Sequence, residues 1–399
     1  MMKKTLAMLF AVIMLVSLFA GCGSQPTNTN TDAAATQQPT QTEKPTEPAE
    51  QTQKPTETQQ PAEQQPAGPR VITDMTGREV ELPESIQRIA GLSSASRFIT
   101  YAGAQDYLVG MSQLEINGDP GMPYAYVNKD KFASCTAISN GGSGDEFYTE
   151  EIVVLNPDLI FIYTSEAAKA DELQQQLDIP VVAFTAKDFL DPNFQTAIRL
   201  IGEVMGTQEH AEAVCQAIQG WLDDLDSRTR DIPEEEKPRV YTGAVGFRGP
   251  HGFEGTYGMY PPFVAIHAHN VVDETEAGGA MLIDLEKVTV WDPDIIFLNP
   301  SSMYLVNEDY ATNPSFYETL TAVQEGKLYT QVSFNYFSTN MELAIADAYY
   351  AACIIYPERF ADVDFEAKAE EIFNTMVGAD YLAVLDANGI GFGTVTIGE

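Results

Sequence analysis

The chain of 399 residues carries 58 Asp and Glu against 22 Lys and Arg, a net charge of −36 borne almost wholly by residues after 69. Such acidity repels polyanions, which excludes nucleic acid and anionic lipid headgroups as partners. Beyond the first residues no run is apolar and long enough to span a bilayer.

At the N-terminus, Lys3 and Lys4 precede an apolar run from Leu6 to Ala20, and small residues lead into Cys22. This is the layout of a signal peptide, because the run is short for a permanent span. The stretch Phe19-Ala20-Gly21-Cys22 resembles the bacterial lipobox, with Phe19 where Leu is usual. It predicts removal of residues 1–21 and a lipid on Cys22 that anchors the protein to the extracytoplasmic face of the cell membrane. Residues 22–69 read as a lipidated, disordered tether. From Gly23 to Pro69 the chain has no aromatic residue and no Leu, Ile, Val or Met, so it cannot bury a core. Its reach lies between roughly 40 Å as a coil and roughly 140 Å as polyproline, which favours a thick, Gram-positive type of wall.

The folded part begins at Arg70. Val71 to Pro83 reads as a hairpin turning at Asp74 to Gly77. Strands are predicted at Arg88–Leu92, Tyr107–Gly110 and Pro180–Phe184 in a first lobe, 70–206, and at Arg239–Thr242 and Lys327–Gln331 in a second, 231–399. An internal repeat ties the lobes together. Residues 149–162 and 285–298 align at one offset, matching Glu150 with Glu286, Pro157 with Pro293, Asp158 with Asp294 and Phe161 with Phe297. Each copy reads as a short helix, a Pro-Asp break and an unalternating apolar strand of the kind buried on both faces of a parallel sheet. Between the lobes, 207–230 reads as a connector helix, capped at Thr207, with Val214, Ile218, Trp221, Leu222 and Leu225 on one face. One such crossing permits limited closure.

In doubly wound lobes, ligands meet the loops at the carboxyl ends of strands. In the first lobe these are Ser93–Arg97, a long loop from Met111 to Glu146 holding Tyr124, Tyr126 and Gly141–Gly144, and Tyr163-Thr164. In the second, Gly246–Thr256 supplies four glycines for close backbone approach and brings Arg248, His251 and Glu254. The loop Phe334–Phe337, with Asn335 and Tyr336, adds aromatic surface and an amide before a helix starting near Asn340. Arg97, Tyr124, Tyr163, Arg248, His251, Glu254, Asn335 and Tyr336 are therefore the candidate ligand contacts. His267 and His269 fall in a predicted helix, where an i,i+2 pair diverges. No set of three or four convergent ligands marks a bare zinc or manganese site. His251, with Tyr or Glu, could ligate haem iron or the metal of a corrinoid, and Arg97 and Arg248 suit an anionic chelate. Of Cys135, Cys215 and Cys353, the last two sit in helical apolar patterns and read as buried free thiols rather than a disulfide or metal site.

The opening Asp74-x-x-Gly77-Arg78-x-Val80-x-x-Pro83 with Arg88-Ile89, the duplicated Glu-to-Pro-Asp signature and the connector helix resemble the ABC-importer binding proteins for iron-siderophores, haem and cobalamin. The resemblance covers essentially everything after the tether. It implies two Rossmann-like α/β lobes with parallel-rich sheets, one long connector helix, a ligand cleft between the lobes, no cofactor of the protein's own and no catalysis. It further implies a monomer that hands an iron complex, haem or a corrinoid to the transmembrane permease subunits of an importer driven by a cytoplasmic ATPase. Glu150 and Glu286 stand at the positions that pair with permease arginines in that class. An enzyme is disfavoured independently, since no Gly-x-Ser-x-Gly elbow, P-loop, dinucleotide turn or His-Glu-x-x-His pair occurs. A wall-tethered adhesin or structural module is the reading from another class.

Overall fold

The computed structural model describes residues 70–142 and 146–398. The leader, Cys22, the tether and part of the glycine-rich turn after Gly142 lie outside them.

A hairpin comes first, β1 (Arg70–Thr73) paired antiparallel with β2 (Glu79–Leu82). Asp74 makes its turn: Oδ1 accepts from the backbone of Thr76 and Arg78, both at 3.0 Å. Its other oxygen accepts from Ala183 N at 3.1 Å, which docks the hairpin on the first lobe. That lobe contains β3 (Ile89–Leu92), β4 (Leu108–Ser112), β5 (Thr136–Ser139), β6 (Leu159–Tyr163) and β7 (Val181–Phe184), all parallel in the order β5-β4-β3-β6-β7. The stretch from Met111 to Glu146, expected as a loop, instead holds the end of β4, three short helices and β5. Its short polar elements carry too little hydrophobic periodicity to show in the sequence.

Gly206 ends the preceding helix at φ 78°, and the connector follows as a single helix, Gln208–Thr229. Thr207 stands at its N-cap position, but its hydroxyl donates to the Ala102 carbonyl at 2.6 Å rather than capping the helix. Val214, Ile218, Trp221 and Leu225 are buried, as their spacing predicts.

The second lobe has β8 (Arg239–Gly243), β9 (Gly255–Gly258), β10 (His269–Asn270), β11 (Gly279–Leu282), β12 (Ile295–Leu298) and β13 (Leu328–Thr330). Four strands form a parallel sheet in the order β10-β8-β12-β13, while β9 and β11 make a separate antiparallel ribbon. The histidine pair leaves its expected helix, which stops at Ala265: His267 adopts φ 52°, and His269 begins β10. Each finds a carboxylate, Asp226 at 2.9 Å and Glu234 at 2.7 Å. Cys135, Cys215 and Cys353 are free, and burial pushes all three thiols up to about 11.

The repeat has one structural meaning in both lobes. Asp158 N donates to Arg88 O, and Asp294 N donates to Arg239 O, both at 2.8 Å. Their carboxylates accept from the backbone of Arg88 (2.9 Å) and Arg239 (2.8 Å) in return. Each arginine then reaches back to close the helix before the break, Arg88 at the Leu155 carbonyl and Arg239 at that of Trp291. The helix ends turn through Asn156 (φ 48°) and Asp292 (φ 41°). A continuous hydrophobic cluster runs from the first sheet through the connector into the helices Met341–Ile355 and Phe365–Val377. Lobe opening would have to shear this packed core, so it resists wide motion.

Candidate ligand cleft

Strand order locates the site. In the second lobe the order turns outward between β8 and β12, and the loops leaving their carboxyl ends diverge there into a crevice. A cavity of about 520 Å³ lies at that place, lined by Val245–Arg248 after β8, Asn299 after β12 and Gln331–Ser338 after β13. Leu114 and Gly142 of the first lobe complete it. An adjoining cavity of about 580 Å³ shares Phe247, Arg248, Asn335 and Tyr336 and adds Asp119–Gly121, Ser301 and Ser302.

The walls are built under constraint. Arg248 takes a left-handed φ of 53°, and Gly249 follows at 131°. Across the cavity, Phe337 and Ser338 stand at φ 51° and 74°, closed by an antiparallel bridge from Asn335 to Thr339. Non-glycine residues held in this region signal a loop shaped by its surroundings. Asn340 supplies them: its amide nitrogen donates to the Phe334 carbonyl at 3.0 Å and to that of Tyr336 at 3.3 Å. Aromatic faces from Phe247, Tyr257, Tyr260, Phe334, Tyr336 and Phe337 surround the space. Burial and the nearby Asp119 raise the Tyr336 phenol, so it stays protonated and a hydrogen-bond donor at neutral pH. Among the described residues Arg248 is the one charged side chain lining the first cavity, and Asp119 joins it in the second.

Arg248, Asn335 and Tyr336 line both cavities, as their loops predict. The other expected contacts lie behind the surface. His251 places Nε2 at 2.9 Å from the Phe247 carbonyl and its ring 4.2 Å from that of Phe247, so it backs a cavity wall with its outer nitrogen engaged. Glu254 accepts from Gly252 N at 3.2 Å and turns the same loop. Arg97 is fully buried; Nε donates to Asn340 Oδ1 at 3.2 Å and Nη2 to Tyr336 O at 3.0 Å. Tyr124 is buried beneath it, its ring 4.7 Å from the guanidinium and its hydroxyl on Glu115 Oε1 at 2.9 Å. Tyr163 stacks on Phe98 and donates to the Ala186 carbonyl. These four polar groups and Glu254 are engaged by internal partners, Arg97 through Nε and Nη2 only, which sequence spacing cannot reveal. Among the described residues no three His, Cys, Asp or Glu side chains converge as metal ligands.

The sequence reading missed Asn299, Gln331 and Thr242. Asn299 and Gln331 are the first residues after β12 and β13, where the carboxyl-end rule would have nominated them. Gln331 and Thr242 are buried at the first cavity, and neither the Gln331 amide nor the Thr242 hydroxyl has a hydrogen-bond partner. Gln331 sits close enough to the buried Asp347 to ease its charge, without hydrogen-bonding geometry.

Known proteins give the same architecture. The model of a family described as periplasmic binding protein matches residues 102–332, and the chain belongs to that family. The molybdate-binding protein MolA of Haemophilus influenzae is 22% identical over 338 residues, 78% of this chain and 92% of its own. A periplasmic solute-binding protein of Veillonella parvula superposes with a TM-score of 0.66 at 20% identity, covering 81% of this chain and 97% of the other. A TroA-like periplasmic binding protein, FepB, of the same organism gives a TM-score of 0.62 at 22% identity over 82% and 99%. The fold is thus the two-lobed fold of the periplasmic binding protein family.

Proposed function

We propose that this protein is a lipid-anchored, monomeric receptor that captures a metal chelate, an iron-siderophore complex foremost, and delivers it to the permease. Residues 1–21 would be the leader, 22–69 the tether from Cys22, and 70–206 and 231–399 the lobes flanking the connector. The observation that carries the ligand class is the paired cavity of about 520 and about 580 Å³, aromatic-walled and bearing Arg248 in its first half. Such volumes suit an organic ligand of drug size. A tetrahedral oxyanion of the kind MolA is named for would fill a small part of the space. Arg248 would take an anionic edge of the chelate, Tyr336 and Phe247 its flat faces, and Asn335 a donor–acceptor group. Glu150 and Glu286, exposed in the first turns of equivalent helices, would face the permease.

Calorimetric titration with ferrichrome, ferric citrate, haemin, cyanocobalamin and molybdate tests this reading. Sub-micromolar binding of a ferric siderophore supports it. Binding of haemin or cyanocobalamin alone would move the ligand within the chelate class, and binding of molybdate alone would refute a chelate.

A further inference from the structure

Seven large apolar side chains stand exposed among the described residues, and three of them, Val153, Val154 and Val290, lie on the two helices of the internal repeat. Val154 and Val290 are equivalent positions, and they are 82% and 83% exposed. Each follows its glutamate, Glu150 or Glu286, by four residues, which places valine and carboxylate on one helix face about 5–6 Å apart at Cβ. The two helices are also rotated alike on their lobes. Ile152 and its counterpart Val288 are fully buried, and the helices end at the equivalent left-handed residues Asn156 and Asp292.

The fold does not call for these valines. Helix packing is satisfied through Ile152 and Val288, and a β-branched residue on a helix's open face adds no propensity. A single exposed valine is ordinary surface. The same residue, equally exposed, at the same place beside the same carboxylate in both lobes is a duplicated surface.

We propose that Val154 and Val290 are the apolar halves of two matched docking contacts with the importer's permease, each beside its carboxylate. This rests on the reading that Glu150 and Glu286 face the permease, and adds what the opposing surface must contain. Each partner surface would offer a basic group and, one helical turn away, a shallow apolar socket. Because the patches share residue types, spacing and helix orientation, the two partner surfaces are alike, as two copies of one permease subunit or two closely similar subunits would make them. The flanks differ: Glu151 and Val153 in the first lobe stand where Lys287 and Thr289 stand in the second. The first-lobe contact is therefore the more acidic and the more apolar, and carries more of the affinity.

The test uses the full-length protein and its own permease–ATPase complex in nanodiscs, with binding measured in the absence of any solute. Val154→Thr and Val290→Thr keep shape and remove apolar surface. Each should weaken binding roughly five- to tenfold, Val154→Thr more, and the pair about fiftyfold, with the melting temperature unchanged. A double variant that binds like wild type overturns the proposal, as does a loss of binding that tracks a fallen melting temperature. Glu150→Arg with Glu286→Arg separates the two levels. If charge reversal abolishes binding while the valine variants are silent, the apolar contact alone is wrong; if both are silent, this face does not dock.

Discussion

Arg97 of the first lobe donates from Nη2 to the carbonyl of Tyr336 in the second at 3.0 Å, so a wall of the ligand cavity is held from the opposite lobe. The guanidinium also donates to Asn340 Oδ1, the residue that shapes that wall from within its own lobe. Buried and stacked on Tyr124, it is a strut between lobes.

Removing the strut leaves the buried Asn340 amide oxygen without a donor and the Tyr336 carbonyl with only the longer bond from Asn340 Nδ2. Arg97→Met should lower stability by about 2–4 kcal/mol in urea unfolding. Arg97→Lys should recover only part, because an ammonium cannot serve two divergent acceptors and a ring face in one geometry.

The same region predicts an inverted pH response. Burial raises Glu115 from 4.5 to about 7, against the opposing hydrogen bonds of Ser112 and Tyr124 and the charge of Arg97. Between those values the folded protein holds a proton that the unfolded chain has released. The contribution to stability is therefore full below about 4.5, falls as pH rises to about 7, and is flat above. It amounts to about 3 kcal/mol from this group. Burial also raises Glu342 and Asp347, which act in the same direction. Stability should thus be higher at pH 5 than at pH 8, and Glu115→Gln should remove about 2.5 kcal/mol of that difference.

The two-lobed architecture is legible in the repeat. The Pro-Asp breaks at 157–158 and 293–294 fix where each helix stops and each strand starts, through backbone geometry that depends on few neighbours. The cavity-lining positions of Arg248, Asn335 and Tyr336 are legible too, because they lie on loops at strand ends in the lobe that builds most of the cavity. Arg97, Tyr124, His251 and Glu254 are not. Whether a polar side chain faces a cleft or an internal acceptor depends on residues distant in sequence, such as Tyr336 and Asn340 for Arg97.

The anchor is open to a direct test. With Cys22→Ala, the lipid attachment proposed from the leader is lost, and the protein should appear in the medium or persist as a precursor heavier by the leader. Fractionation with intact-mass measurement reads both outcomes, and an unchanged membrane-bound mass would refute lipidation.

The sharpest contrast within the site is between Arg248 and His251. Arg248 is exposed in the cavity, whereas His251 is tied to the Phe247 carbonyl and packed on its ring. If the ligand is the anionic chelate proposed above, Arg248→Ala removes a charge-assisted hydrogen bond to it, a loss of roughly 1.5–3 kcal/mol, about ten- to a hundredfold in affinity. It should leave the melting temperature of the ligand-free protein where it was. His251→Ala removes a brace, so it should lower that melting temperature and weaken binding only through a displaced Phe247. Tyr336→Ala should follow Arg248→Ala, since the ring lines both cavities, while Tyr336→Phe keeps the ring and should be mild, a large loss instead marking the phenol oxygen as a metal ligand. Titration and melting curves measured on the same four preparations decide the matter. A His251→Ala protein with unchanged melting temperature and lost affinity would return that imidazole to the ligand and require the loop to open on binding.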